Sequence, residues 1–452
     1  MGAPRIRASK SGREAALALL GLLLAACSPP PRNVVLVLVD TLRADHVGAY
    51  GYGRPTTPNF DAFAAQGILF ERAWSQAACT FPSVNSLLTS RYPARFLGQP
   101  GGAMGIPPEQ PALPEILGRA GYATAAVSAS PIVRRTPTRF NPGGGFGRGF
   151  ERFDESCLWR DATCVTARAR AELGQLRPPF FLYLHYMDPH GPYQPPAGVP
   201  RRFAGECAGP DFICRGDPNP IARMLYSGGP RVEAGPAAMA ALLDLYDEEI
   251  RHWDSSFGDL LAALKEAGLD ETTAVVVASD HGEEFLEHGH VKHCRTLFDT
   301  ETRVPLALRA PWHGGGRRVE APVQNLDLAP TVLEAVGRPH LDAGFEGRSL
   351  LPGARDSAPL AGSLFASQGA LRSVTDGRRK LIHDLRAGRF WLYDLEADRG
   401  ETRDLLAAAP EQARPLRREL LTWLRQVEGE TSRTLDAAAE MEERLRALGY
   451  LQ

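Results

Sequence analysis

Asp40, Asp188, His190, Asp280 and His281 stand just past three apolar runs, where a parallel sheet would gather them. Asp40 closes the run from Asn33 to Val39, Asp188 and His190 follow Phe180 to Tyr186, and Asp280 and His281 follow Thr273 to Ser279. Open parallel sheets bind ligands at the carboxyl ends of their strands. Carboxylates and imidazole converging there from separate strands are the donor set of a divalent metal ion. Taken singly, each acid would serve as well as an N-cap for the helix after its strand. For the set, capping is a poor explanation.

The elements that must carry these residues are visible in the apolar patterning. Runs at Asn33–Val39, Tyr122–Ser128, Phe180–Tyr186 and Thr273–Ser279 predict strands buried on both faces of a parallel sheet, with Val304–Arg309 as a fifth. Helices are predicted near Asn59–Gln66, Pro82–Ser90 and Leu113–Ala120. The longest runs from Ala237 to Ala267, where Tyr246, Ile250, Trp253, Phe257, Leu260 and Leu264 recur at three- and four-residue steps. Strands alternating with helices imply an α/β fold, a doubly wound and mainly parallel sheet flanked by helices. Near residue 350 the pattern changes. Short strands at Leu371–Val374, Lys380–Asp384 and Phe390–Leu395, a tight turn at Asp376-Gly377 and a helix from Glu411 to Val427 predict a small antiparallel α+β subdomain. The expected division is therefore 33–350 for the catalytic domain and 351–452 for the subdomain. The glycine cluster Gly143–Gly149 lacks the context of a phosphate loop and reads as an ordinary loop.

Composition narrows the partners. The 452 residues are 44% hydrophobic and 23% charged, as in ordinary globular proteins. The formal charge of −2 becomes −5 without residues 1–26, and no basic tract is left to attract nucleic acid. Those 26 residues read as a targeting segment: basic from Arg5 to Arg13, then apolar from Ala15 to Ala26, a run too short to span a bilayer. Leu24-Ala25-Ala26-Cys27 resembles the bacterial lipoprotein box. It implies a lipid on Cys27, a tether over 27–32, and an exported chain anchored to the membrane of the cell envelope, facing the periplasm or the cell surface. Six further cysteines, at 79, 157, 164, 207, 214 and 294, suit disulfides in such a compartment. The pairs 157/164 and 207/214 suggest local bridges, although six cysteines allow fifteen pairings.

Longer motifs make the reading specific. Val37-Leu38-Val39-Asp40-Thr41-Leu42-Arg43-Ala44-Asp45-His46 is followed by Pro55-Thr56-Thr57-Pro58-Asn59, then by Thr80-Phe81-Pro82-Ser83 and Leu87-Leu88-Thr89-Ser90-Arg91. Farther along come Ser279-Asp280-His281-Gly282-Glu283-Glu284, Glu287-His288-Gly289-His290, Asp327-Leu328-Ala329-Pro330-Thr331 and Leu392-Tyr393-Asp394-Leu395. In this order they resemble the sulfatase family of the alkaline-phosphatase superfamily. The resemblance implies a metal-dependent hydrolase of sulfuric or phosphoric esters, acting on a sulfated or phosphorylated small molecule or glycan. It implies one divalent ion (Ca²⁺, Mn²⁺ or Zn²⁺) on Asp40, Asp280 and His281, with Thr80 completing the shell as nucleophile. Thr80 precedes a helix start, where backbone N–H groups favour an anion, and a cation beside a hydroxyl makes it a better nucleophile. His190 is expected to protonate the leaving oxygen. His293 and Lys292 would meet the anion, and Thr41 would lie against the substrate.

The sequence also departs from the family. Sulfatases derive a formylglycine from the first residue of Cys/Ser-x-Pro-x-Arg; here that position is Thr80, the Arg position is Val84, and Cys79 lies one residue early. A formylglycine hydrate can expel sulfate by reforming an aldehyde, whereas a sulfo-threonine must be hydrolysed, so the nucleophile leans toward phosphate esters. Thr41 stands where many sulfatases have a second Asp, which softens the shell toward Mn²⁺ or Zn²⁺. Cys79 adjoins Thr80 and Cys294 adjoins His293; if both segments meet at the metal, these thiols should pair. The stretch Gln194–Pro236 is expected at the pocket rim. Two other readings compete: an envelope phosphoethanolamine- or phosphoglycerol-type transferase, and a non-catalytic binding lipoprotein. Retention of Asp40, Thr80, Asp280 and His281 together counts against the second.

Overall fold

The computed structural model describes residues 32–97, 105–138, 141, 143–159, 161–205, 207, 209–341, 344–351 and 363–426. The expected targeting segment, Cys27 and the tether up to residue 31 lie outside the described residues, as does 427–452.

Asn33–Val39 is the central strand, and all seven of its residues are buried. It runs parallel to Phe180–Tyr186 on one side and to Thr273–Ser279 on the other. β-Branched and leucine side chains alternating between two covered faces explain its position. Val35, Val37 and Val39 pack toward Tyr246, Trp253 and Phe257 of the Pro236–Glu266 helix. Val34, Leu36 and Leu38 pack toward Phe81, Val84 and Leu87 of the Thr80–Thr89 helix. Each such side chain contributes about 1.5–3 kcal/mol by leaving water. The register then matters for chemistry. Val39 lies opposite both Tyr186 and Ser279, so Asp40 and Asp280 leave the sheet side by side.

The whole sheet has eight strands, in the order Arg317–Val319, Ile68–Phe70, Leu306–Arg309, Thr273–Ser279, Asn33–Val39, Phe180–Tyr186, Ala123–Ser128, Arg152–Asp154. It is a mainly parallel, doubly wound α/β sheet, as expected. The predicted strand Val304–Arg309 is corrected in two ways. It divides at Pro305, whose ring fixes φ and whose nitrogen carries no donor for a ladder. Arg303–Val304 pairs with Ala73–Trp74 in a separate small sheet, while Leu306–Arg309 joins the main sheet antiparallel to Thr273–Ser279.

Beyond residue 363, Leu364–Gln368, Leu371–Thr375, Arg379–Asp384 and Arg389–Asp394 form an antiparallel meander. The Asp376-Gly377 turn is where it was expected: the Asp376 carboxylate accepts from the N–H groups of Arg378 and Arg379, and Gly377 takes φ 89°. The Pro410–Gln426 helix covers one face with Leu416, Leu420 and Trp423. Lys380 ties this sheet to the short Asp299–Thr302 helix, lying 2.8 Å from Asp299 and 3.1 Å from Glu401 with little of any of the three side chains in water. Cysteines pair as 79–294, 157–164 and 207–214. No helix among the described residues is long and apolar enough to cross a membrane.

Candidate active site

Asp40 and Asp280 each have one oxygen engaged and one buried without a partner. Asp280 Oδ1 accepts from the backbone N–H of Thr41 at 3.2 Å and of His281 at 2.9 Å. Asp40 Oδ2 lies 3.2 Å from His185 Nε2 and accepts from the Thr80 hydroxyl at 3.4 Å. Asp280 Oδ2 and Asp40 Oδ1 have no hydrogen-bond partner. His281 donates Nδ1–H to the Gly282 carbonyl at 2.9 Å, which leaves the Nε2 lone pair facing the cluster. That nitrogen lies 3.2 Å from Thr80 Oγ1, 3.4 Å from Asp280 Oδ2 and 3.9 Å from Asp40 Oδ1. One ligand atom each from Asp40, Asp280 and His281 falls within 4.8 Å of the others.

The donor set fits a divalent cation. Two unpartnered carboxylate oxygens beside an imidazole lone pair would cost several kcal/mol if left uncompensated in the interior. The same strain appears in the acid–base balance: burial, then the neighbouring Asp280, push the Asp40 carboxyl well above its usual range. His281 is lowered by burial but raised more by Asp280 and Asp40, for a net increase.

His185 was hidden from sequence reasoning inside the run Phe-Phe-Leu-Tyr-Leu-His-Tyr. It is fully buried, takes the Tyr183 hydroxyl on Nδ1 at 2.8 Å, and so presents Nε2–H to Asp40. Burial holds it down to about 4, a neutral donor. The available signal was the two-residue step from Tyr183 to His185, which places two polar groups on one face of the strand.

A row of rings leads outward from this floor. His281 and His293 have centroids 4.5 Å apart, His293 and His190 5.1 Å, and His190 and Trp159 5.8 Å. His293 Nδ1 bonds the Glu283 carboxylate at 2.8 Å, and Glu283 also accepts from the Tyr193 hydroxyl. His190 donates Nδ1–H to the Gly191 carbonyl at 2.7 Å, and burial and then His293 hold it down to about 3. Lys292 donates to Asn219 at 3.0 Å, and its charge helps depress both His190 and His293. Thr41, at φ 57°, acts on Asp280 through its backbone N–H; its hydroxyl is buried without a partner.

Other candidates are placed elsewhere. Asp188 is not in the metal-like cluster; it sits beside Glu249 and His252, against the long helix. His288 bonds Glu284 and the Gly400 carbonyl and stacks on Phe298, and His290 stacks on Tyr226. Asn219 and Tyr226, from the stretch expected at the rim, touch the loop that carries Lys292 and His290. The Cys79–Cys294 disulfide, with Cα atoms 4.8 Å apart, joins the Thr80 and His293 segments. Gln368 of the small sheet reaches the Cys294 carbonyl at 3.0 Å.

A mainly parallel sheet delivering two aspartates and a histidine to a hydroxyl at a helix N-terminus defines a hydrolase of the alkaline-phosphatase superfamily. The sulfatase family profile matches residues 32–338. The chain belongs to the sulfatase family and is an ester hydrolase of that family. It is 30% identical over 396 residues to human N-sulphoglucosamine sulphohydrolase, covering 80% of this chain and 75% of the relative, and 25% identical to human arylsulfatase A, covering 78% and 71%. A solved structure in complex with its substrate D-glucosamine-2-N,6-O-disulfate superposes with a TM-score of 0.69 at 19% identity, covering 88% of this chain and 98% of that one. The phosphonate monoester hydrolase of Agrobacterium radiobacter superposes with a TM-score of 0.67 at 20% identity, covering 88% and 96%. Both structural likenesses show the fold.

Proposed function

We propose that the protein hydrolyses sulfuric or phosphoric monoesters with Thr80 as nucleophile, on a site where Asp40, Asp280 and His281 hold one divalent ion. The observation that carries this is the meeting of the Thr80 hydroxyl with His281 Nε2 and Asp40 beside two unpartnered carboxylate oxygens. When bound, the ion supplies positive charge that eases ionisation of a hydroxyl and steadies an anionic ester. Thr80 Oγ gives up its proton to the Asp40 carboxylate it already donates to and attacks the central sulfur or phosphorus. The bond to the substrate alcohol breaks with the alcohol taking a proton from His190, and water later cleaves the threonine ester. The Thr80–Thr89 helix points its N-terminal N–H groups at the transferred group. His190 Nε2 carries the lone pair before substrate arrives, so it must gain a proton to assist the leaving alcohol; an anionic ester nearby favours that.

Cys79 is tied to Cys294 and cannot act as a second nucleophile. A threonine ester must be opened by water, which favours the phosphoric over the sulfuric substrate. The glucosamine sulfates named for the relative and the neighbouring complex support a sulfated or phosphorylated small molecule or glycan. Ca²⁺, Mn²⁺ and Zn²⁺ all suit the mixed oxygen and nitrogen donors. Residues 33–350 would form the catalytic domain and 351–452 the subdomain. We place the enzyme on the cell envelope through a lipid on Cys27; three disulfides agree with an oxidising compartment.

The test uses protein lacking residues 1–27, assayed on 4-nitrophenyl sulfate, phosphate and a phosphodiester, with metal content measured in parallel. Thr80→Ala should lower turnover by about 10³-fold or more. Turnover unaffected by that substitution would remove the mechanism.

A further inference from the structure

We infer that Glu283 is a positioning residue that holds His293 and His190 at one spacing, each oxygen of its carboxylate fastening the loop that carries one of them. This rests on the reading of the site given above, in which His190 protonates the leaving alcohol. Glu283 lies outside the cluster of Asp40, Asp280 and His281, so no contact with the ion is asked of it.

The placement begins in a two-stranded ribbon. Glu284–Phe285 pairs antiparallel with Val291–Lys292, with Glu284 opposite Lys292 and Phe285 opposite Val291. One further step of that register sets Glu283 across from His293. The backbone of Glu283 is held on both sides: its N–H donates to the Thr300 carbonyl at 3.0 Å, and its carbonyl accepts from the Arg43 guanidinium at 3.0 Å. The carboxylate on this fixed backbone is buried, with Oε1 2.8 Å from His293 Nδ1 and Oε2 accepting from the Tyr193 hydroxyl at 3.1 Å. Tyr193 stands three residues past His190, on the loop that follows Phe180–Tyr186. Its N–H donates to the Gly216 carbonyl at 2.8 Å, and its ring packs against Tyr246 and Phe285, with centroids 5.7 and 5.4 Å away.

The chemistry follows from what a carboxylate can do. Ionised, it only accepts hydrogen bonds, so both neighbours must donate to it. His293 then carries its proton on Nδ1 and turns the Nε2 lone pair away from Glu283. His190 does not touch Glu283; its ring rides on the loop that Tyr193 pins, 5.1 Å from the ring of His293. Cutting the bridge at either end lets the two loops part. The group transferred to Thr80 could still react, but the leaving oxygen would find His190 out of place.

The experiment compares kcat/KM for phenyl and 4-nitrophenyl esters of phosphate and sulfate in the full chain and in its Glu283→Ala, Glu283→Gln and Tyr193→Phe variants. The two alcohols have nearly the same shape, but phenol is the poorer leaving group and needs the proton from His190 more. Because the reading is a ratio within one protein, losses of folded or metal-loaded enzyme cancel. Glu283→Ala and Tyr193→Phe should each lower the phenyl-to-nitrophenyl ratio about tenfold. Glu283→Gln, which keeps an acceptor for His293 and a partner for the Tyr193 hydroxyl, should hold it within about threefold of the unaltered chain. NMR shifts of the His293 ring nitrogens should place the proton on Nδ1 in the unaltered chain and on a mixture of both nitrogens in Glu283→Ala. A ratio unchanged within about twofold in Glu283→Ala or in Tyr193→Phe would overturn the bridge, as would a Glu283→Gln variant as impaired as Glu283→Ala. Absence of turnover with every ester would instead remove the hydrolase reading. The ring nitrogens would then judge Glu283, and an unchanged His293 tautomer in Glu283→Ala would overturn its role.

Discussion

A carboxylate has two oxygens to satisfy, and in Asp40 and Asp280 the protein satisfies one of each. The engaged oxygens set the direction of the others. For Asp40 the setting falls to His185, held by Tyr183 from behind, a carboxylate–imidazole arrangement that would orient Asp40 as the proposed ligand of a divalent ion. His185→Phe should therefore weaken binding of a divalent ion about 10–100-fold, while His185→Gln, which keeps an N–H, should lose less. Titration calorimetry of the metal-free protein measures both, and equal affinities for wild type and His185→Phe would sink the assignment. Asp40, Asp280 and His281 were legible because they interrupt apolar runs at strand ends. His185 was not, since it lies within a run and its polarity is used up inside the sheet.

Between elements, buried pairs decide how loops sit on the scaffold. The loop after Phe180–Tyr186 carries Asp188, which faces Glu249 of the long helix, with His252 and Asp161 also nearby. Burial pushes the Asp188 carboxyl up to about 6, and burial and then Asp188 push Glu249 well above its usual range. A folded-state value raised above the unfolded one gives stability that is present below the unfolded value near 4 and lost as pH rises through about 6. Glu249→Gln keeps a donor without the charge. Its melting temperature should gain on wild type between pH 5 and pH 8, and a difference independent of pH would contradict this. At the same scale, Cys79→Ser with Cys294→Ser should cost about 2–5 kcal/mol of stability in chemical denaturation. It should also lower kcat, because the bridge places Thr80 against the His293 segment. The central strands and the helix from Pro236 to Glu266 were legible from their patterning, whereas the helix Ala162–Leu173 went unread. The strands Ile68–Phe70, Arg152–Asp154 and Arg317–Val319 were not legible, because three residues are too few to show a period and their pairing is set by distant neighbours.

At the scale of the molecule, the antiparallel sheet is fastened by a charge that cannot be left alone. Lys380 balances Asp299 and Glu401, all largely out of water, and replacing one partner of such a buried set is strongly destabilising. Lys380→Met should cost about 3–5 kcal/mol in urea denaturation; a loss below about 1 kcal/mol would show that the two carboxylates simply take up protons. The fold class was legible, because it depends on patterning within a few turns of chain. Contacts such as Gln368 against Cys294 were not, since nothing near either residue names the other. The long bridge has a further consequence for biogenesis. Cys79 and Cys294 are 215 residues apart, whereas each of the other pairs spans seven. A chain oxidised as it emerges offers Cys79 four wrong thiols, at 157, 164, 207 and 214, before the right one arrives. Maturation should then depend on a thiol-shuffling helper, and without one the yield should fall while the two short loops still close.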